Sequence, residues 1–311
     1  MKPSLHSERS ADETDLGHIV ADLRSLREQS HQTRYGRGSL PELPSRTATI
    51  EIVDALAAAL FPRHYGPAEL TYERVDVFVA DTLAEASEGL RRQVRLELEL
   101  TGRGQENIPV SAASDIVARF ANELPSIRAV LETDIRAAYE GDPAATSIDE
   151  VMCCYPGVTA IIRHRFAHAL YRLGAPMLAR IVSEVAHSLT GIDIHPGAEI
   201  GESFFIDHGT GVVIGQTAIV GKRVRLYQGV TLGARRFELD EHGGLAKNYP
   251  RHPIIEDDVV IYAGAAVLGR IMVGRGSTIA GSVWLTHSVP PGSVITQAGA
   301  QRDAFDEAGP I

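Results

Sequence analysis

Three stretches of this 311-residue chain set titratable side chains among glycines and prolines: Asp142-Pro143, the run from Asp193 to Gly211, and Arg251-His252-Pro253. In the middle stretch Asp193 precedes Asp207-His208 by fourteen residues. A histidine takes a proton from an alcohol effectively when a carboxylate fixes its tautomer and stabilises the imidazolium that forms. An aspartate and a histidine that can meet therefore form a minimal general base for a hydroxyl group. Whether they meet depends on the elements that carry them.

Those elements are legible from periodicity. From Ile194, every sixth residue is apolar or small: Ile194, Ile200, Ile206, Val212, Ala218, Val224 and Val230. The series resumes as Ile255, Ile261, Val267, Val273, Ile279 and Leu285, with Gly201, Gly269, Gly274 and Gly281 near the corners. In a chain that is 44% hydrophobic, so long a run is not chance. A six-residue period means short strands that each turn one aliphatic side chain inward, with three strands to a triangular coil. With about eighteen residues per coil, Asp193 and His208 are less than one coil apart and can meet near a corner. The charged, glycine-containing segment 233–253 cannot continue the column and must protrude as a loop. Loops on a rigid scaffold are where binding residues gather.

The first half reads as helical. Leu16, Ile19, Val20, Leu23 and Leu26 recur at helical spacing, as do Val53, Leu56 and Leu60. Stretches 70–100 and 109–140 continue the pattern, with Pro125 expected to break the second, and a further helix runs from Gly157 to Leu189 with an interruption at Gly174 and Pro176. These helices are expected to bury against each other and against neighbouring subunits. The fold class is thus mixed α and β: an α-helical domain over 1–190, its first twelve or so residues disordered, a left-handed parallel β-helix over 191–297, and a flexible tail over 298–311.

Composition narrows the function. A net charge of −10, from 30 Lys+Arg against 40 Asp+Glu, argues against a nucleic-acid partner. The polar first fifteen residues contain neither a signal-peptide core nor a membrane span, so a cytoplasmic protein without membrane contact is expected. Adjacent Cys153 and Cys154 offer no useful disulfide loop and no four-ligand zinc site, and are read as core packing. His164 and His168, four apart on a helix, lack a third ligand and read as interface packing, and His195 beside Pro196 as turn packing. No metal is expected.

Ile206-Asp207-His208-Gly209-Thr210-Gly211, Asp193-Ile-His-Pro-Gly, Arg251-His252-Pro253 and Asp142-Pro143 resemble the serine acetyltransferase family over about residues 130–297. The phrase SIDEV…YPG at 147–157 resembles that family's short bacterial branch, behind a longer helical region here. The resemblance implies a direct transfer. His208, oriented by Asp193, would take the hydroxyl proton of L-serine while its oxygen attacks the thioester carbonyl of acetyl-CoA, giving O-acetyl-L-serine for cysteine biosynthesis. His252 would serve as a second catalytic histidine, and Asp142, Asp207 and Arg251 would hold the amino acid, carboxylates suiting the ammonium and the Arg fork the carboxylate. It further implies that coenzyme A lies in a groove between neighbouring solenoids, with Ala263, Gly264 and Gly281 small enough for the pantetheine arm to approach backbone amides. The active unit would be a trimer or a dimer of trimers.

Several features depart from that pattern. Gly215-Gln216-Thr217 stands where Gly-Glu-Thr is usual, the loop carrying Arg235, Arg236 and Lys247 is longer than usual, and Trp284 takes a commonly small position. The ending AFDEAGPI, with Ile311 last, resembles the tail by which such enzymes dock into O-acetylserine sulfhydrylase. Rival readings are a hexapeptide acyltransferase with a homoserine or sugar acceptor, a γ-type carbonic anhydrase, whose histidine spacing is not matched by His195, His208 and His252, and a non-enzymatic scaffold.

Overall fold

The computed structural model describes residues 16–36, 40–102, 109 and 111–297. They fall into two compact units that divide between Glu42 and Leu43. The first unit contains α1 (Leu16–Tyr35), whose apolar residues do recur at helical spacing, yet no residue of α1 is buried. The second unit holds all the candidate chemistry. Its helices are α2 (Arg46–Leu60), α3 (Pro62–Tyr65), α4 (Val75–Thr101), α5 (Ala112–Gly141), α6 (Ile148–Cys154), α7 (Pro156–Arg172) and α8 (Pro176–Thr190).

Local chemistry sets several of these boundaries. Ser45 caps α2 by accepting from Ala48 N, and Ser147 caps α6 by accepting from Glu150 N, while the Glu150 carboxylate accepts from Thr146 N. Gly174, at φ 95°, and Pro176 at the first turn of α8 separate α7 from α8. The buried Glu97 of α4 accepts from Met177 N and Leu178 N at 2.7 and 2.9 Å, capping α8 from a distant element.

Two expectations are corrected. Pro125 lies inside α5 and does not break it. An interior proline costs about 3 kcal/mol. Val117, Phe120, Leu124, Ile127, Leu131 and Ile135 bury on one stripe across it, each worth about 1.5–3 kcal/mol, so packing wins. Cys153 and Cys154 are exposed, not core. They end a seven-residue helix whose buried residues are Val151 and Met152.

From Asp193 onward the chain forms a left-handed parallel β-helix with three faces. The first face stacks β1 (Asp193–Ile194), β4 (Val213–Ile214), β7 (Thr231–Gly233), β10 (Ala266–Leu268) and β13 (Trp284–Leu285). The second stacks β2 (Glu199–Ile200), β5 (Ile219–Val220), β8 (Ile254–Ile255) and β11 (Met272–Val273). The third stacks β3 (Phe205–Ile206), β6 (Arg225–Leu226), β9 (Val260–Ile261), β12 (Thr278–Ile279) and β14 (Val294–Ile295).

Apart from the half-buried Ile200 the six-residue series is buried, but it does not trace one column. Ile194, Ile200 and Ile206 are strand residues, and the strand series continues as Ile214, Val220, Leu226 and Leu232. Val212, Ala218, Val224 and Val230 instead stack in a second buried column two residues ahead of the strand positions. The slip occurs because the first turn from third face to first, Asp207 to Val212, holds two extra residues. Asp193 pairs with Val213, twenty residues on, whereas Val213 pairs with Thr231, eighteen on. The enlarged turn contains the Asp-His-Gly-Thr-Gly motif.

The helices and the solenoid share a continuous hydrophobic core that includes Phe166, Leu170, Leu178, Ile192, Ile194 and Phe204. A buried ion pair reinforces the junction. Asp134 of α5 accepts from Arg165 of α7 and from Phe204 N at 2.9 Å, and Arg165 also donates to the carbonyls of Ile200 and Gly201. This clamp holds α5 and α7 against the first coil, where candidate residues sit.

Candidate active site

Asp207 and His208 occupy the corner between the third and first faces. His208 adopts φ 58°, a left-handed conformation that costs a non-glycine residue energy and recurs at functional turns. Its side chain is 68% exposed and its Nδ1 lies 3.8 Å from Asp207 Oδ1. Asp207 itself is buried, its Oδ2 accepting from Arg225 Nη2 at 3.2 Å. Arg225 lies one coil above, with its guanidinium over the rings of Phe205 and Tyr227, and Tyr227 stacks on Tyr262 at 5.0 Å.

Asp142 arrives from the helical half. Gly141, the last residue of α5, lies under Phe205, where a Cβ would come within 2.9 Å of the ring. The neighbouring Asp142 accepts from Ala144 N at 2.8 Å and from the Tyr155 hydroxyl at 2.5 Å. The Tyr155 hydrogen bond, the Ala144 amide and then the positive charge of Arg225 hold its carboxyl below the usual range, so it is ionised. The same bond pushes the Tyr155 phenol up to about 12. Asp142, Asp207 and His208 thus share one corner.

Asp193 lies directly beneath the Asp207–Gly211 turn, its amide donating to Val212 O and Gly211 N donating to Gly191 O. Its carboxylate makes no hydrogen bond or ion pair among the described residues. The carboxylate nearest the His208 ring in the single chain is that of Asp207. Above the same corner, Gly211, Gly229 and Gly264 stack in left-handed conformation, with Ser282 following. Ala263 and Gly281 belong to this ladder: Ser282 N donates to Ala263 O, and Gln297 Nε2 donates to Gly281 O at 3.4 Å. Trp284 stands 58% exposed on the first face, in register with Ala266.

His252 and Arg251 lie elsewhere, at the corner between the first and second faces, where the protruding loop re-enters β8. His252 is buried, its ring packed against Gly215, where any Cβ would collide with it. Thr217 N donates to His252 Nδ1 at 3.1 Å, so the neutral ring carries its proton on Nε2. Burial, then the charges of Arg251 and Arg270, bring its pKa down to about 4. Thr217 Oγ1 also accepts from Arg251 N and His252 N, and Arg270 donates to the carbonyls of Thr217 and His252. Gln216 accepts from Arg251 and makes no hydrogen bond to the histidine. His195, on this corner two coils below His252, accepts from Gly197 N through Nδ1 and meets Tyr171 edge-on.

The first face separates the two corners by on the order of 15 Å. Sequence reasoning missed Tyr155, Arg225 and Thr217. Arg225 pairs with Phe205, twenty residues before it, a spacing that can be read only once the enlarged turn is recognised. Tyr155 and Thr217 carried no such signal, since their roles arise from helix docking and loop re-entry. His164 is buried with neither ring nitrogen hydrogen-bonded, 5.8 Å from His168, and no group of three or more metal-ligating side chains occurs among the described residues. No described helix is long and apolar enough to cross a membrane.

A parallel β-helix of hexapeptide coils with an exposed histidine set among carboxylates at one corner defines the class of hexapeptide-repeat acyltransferases. No family model matches the chain. It is 56% identical to a plasmid-borne serine acetyltransferase of Synechococcus elongatus over 86% of both chains, and 50% identical to the serine acetyltransferase of Mycobacterium tuberculosis over 54% of this chain and 69% of that one. Among solved structures, Entamoeba histolytica serine acetyltransferase 1 in complex with L-cysteine matches with a TM-score of 0.69 at 34% identity, covering 90% of this chain and 97% of that one. Soybean serine acetyltransferase complexed with serine matches at 0.52 and 28%, covering 81% and 96%. The chain belongs to the serine acetyltransferase family.

Proposed function

We propose that the protein transfers the acetyl group of acetyl-CoA to the hydroxyl of L-serine in the cytoplasm, forming O-acetyl-L-serine and free coenzyme A for cysteine biosynthesis. The observation that carries this reading is the two-residue insertion at Asp207–Gly211, which presents an exposed imidazole beside two carboxylates while the rest of the coil keeps strict register. His208 removes the hydroxyl proton as the oxygen attacks the thioester carbonyl. Its proton then neutralises the departing thiolate. Asp193 orients the ring once substrate closes the corner, and Asp142 and Asp207 face the ammonium group. Arg251 takes the carboxylate, and His252, with its proton on Nε2, donates to an oxygen of the substrate. The ladder of Ala263, Gly264 and Gly281 leaves room for the pantetheine arm.

The two-corner layout supports a trimer. One chain keeps His208 and His252 at opposite edges of the first face, and a cyclic assembly of triangular prisms brings the His208 edge of one copy against the His252 edge of the next. Docking of Ile311, outside the described residues, into O-acetylserine sulfhydrylase belongs to the same proposal; unchanged binding on its deletion would remove it.

The deciding measurement is thiol release from acetyl-CoA with L-serine, L-homoserine and a sugar acceptor, for the intact protein and its His208→Ala variant. Turnover selective for serine that collapses in the variant is expected. Turnover selective for another acceptor would overturn the substrate, and an unaffected variant would overturn the base.

A further inference from the structure

Gln216 follows Gly215 in the turn after β4, and both ends of its amide are engaged. Arg251 Nη2 donates to Oε1 at 2.8 Å, and Nε2 donates to the Tyr171 hydroxyl of α7 at 3.1 Å. A guanidinium can only donate, so the amide oxygen must face Arg251 and the NH2 must face Tyr171. Arg251 thereby fixes which way the amide points, and Tyr171 anchors its other end.

The remaining neighbours of the Arg251 side chain are neutral as well. Nη1 donates to Tyr249 O at 3.3 Å, and the guanidinium lies 5.6 Å from the centre of the Tyr249 ring. No carboxylate pairs with it among the described residues. A part-buried Arg held by neutral acceptors keeps its whole charge available to an incoming anion. A glutamate at 216 would have the same shape and accept the same hydrogen bond, but it would neutralise that charge before substrate arrived.

We infer that Gln216 is a positioning residue that, anchored at its far end by Tyr171, holds Arg251 in place without neutralising it, and so tightens this protein's binding of acceptors that bear a carboxylate. This rests on the reading of Arg251 as the group that receives the acceptor's carboxylate. It also gives the helical half a part in substrate choice, since Tyr171 lies on α7. The gain is in binding and not in the chemical step, because the contact with the carboxylate is the same in ground and transition states.

The test compares L-serine with L-serinamide, which keeps the hydroxyl and amine and replaces the carboxylate by a neutral amide. With the full-length protein and acetyl-CoA, Gln216→Glu is expected to raise KM for serine about tenfold, with a smaller change in kcat and less than a twofold change in KM for serinamide. Tyr171→Phe, which frees the amide to rotate, should shift serine in the same direction by about two- to threefold. An unchanged serine KM in Gln216→Glu, or equal shifts for the two acceptors, would overturn the inference alone. Equal kcat/KM for serine and serinamide in the unaltered protein would overturn the role of Arg251 and the inference with it.

Discussion

The two histidine corners of the solenoid are built from the same repeat and differ in almost every physical respect. His208 sits on an enlarged turn, in left-handed backbone conformation, with its ring largely in solvent. His252 lies against a glycine, buried, with its tautomer fixed by the Thr217 amide and its pKa held down at about 4. A group that must both accept and release a proton needs access and a changeable charge; a group that must donate one hydrogen bond to a fixed point needs neither. In the function proposed above, the first task falls to His208 and the second to His252.

The comparison breaks most visibly at His208. Replacing it by Asn should lower kcat by about 10²- to 10⁴-fold while leaving the melting temperature close to that of the intact protein, because an exposed ring contributes little to stability; a kcat within tenfold would reverse the assignment. Gly215→Ala drives a methyl into the His252 ring, and the displaced Nε2 should cost about 10²-fold in kcat/KM, read by steady-state kinetics. If that variant kept full activity, His252 would be a structural residue.

A subtler effect concerns acid stability. An unfolded His252 titrates near 6.5 and the folded one near 4, so between these values the unfolded state binds more protons and stability declines as pH falls. His195, also lowered to about 4 by burial and then by Arg180, Arg251 and His252, acts in the same direction. A His252→Gln variant should therefore lose a few degrees less in melting temperature than the parent between pH 6.5 and 4, roughly 2–4 °C per kcal/mol removed. Parallel melting curves over that range would show that the buried ring is not the source.

Regions with a strong period were the most legible. The hexapeptide series located the solenoid, because each coil must bury its own aliphatic column or expose it. It failed at one point, where the series passed from the strand column to the corner column across Asp207–Gly211. Both columns are apolar, so the slip produced no miss. The break in strand spacing, eight residues between Ile206 and Ile214 against six between the strands on either side, was itself a marker of the site. Pro125 and the cysteine pair were misread for the opposite reason: a local rule gave an answer that the packing of α5 and the exposed end of α6 did not respect.

From the sequence alone came the repeat, the helical first half, and the identity of the side chains capable of proton transfer and carboxylate binding, since these depend on residue type and spacing along the chain. Only the tertiary structure decided which of them meet. Asp142 joins Asp207 and His208 because Gly141 lets α5 end against Phe205, and Arg251 is held by a neutral amide because α7 places Tyr171 beside Gln216. His208 and His252 are kept apart by the width of a face. Contacts between elements distant in sequence carry no local periodicity, so they become visible when the coils and helices are packed in three dimensions.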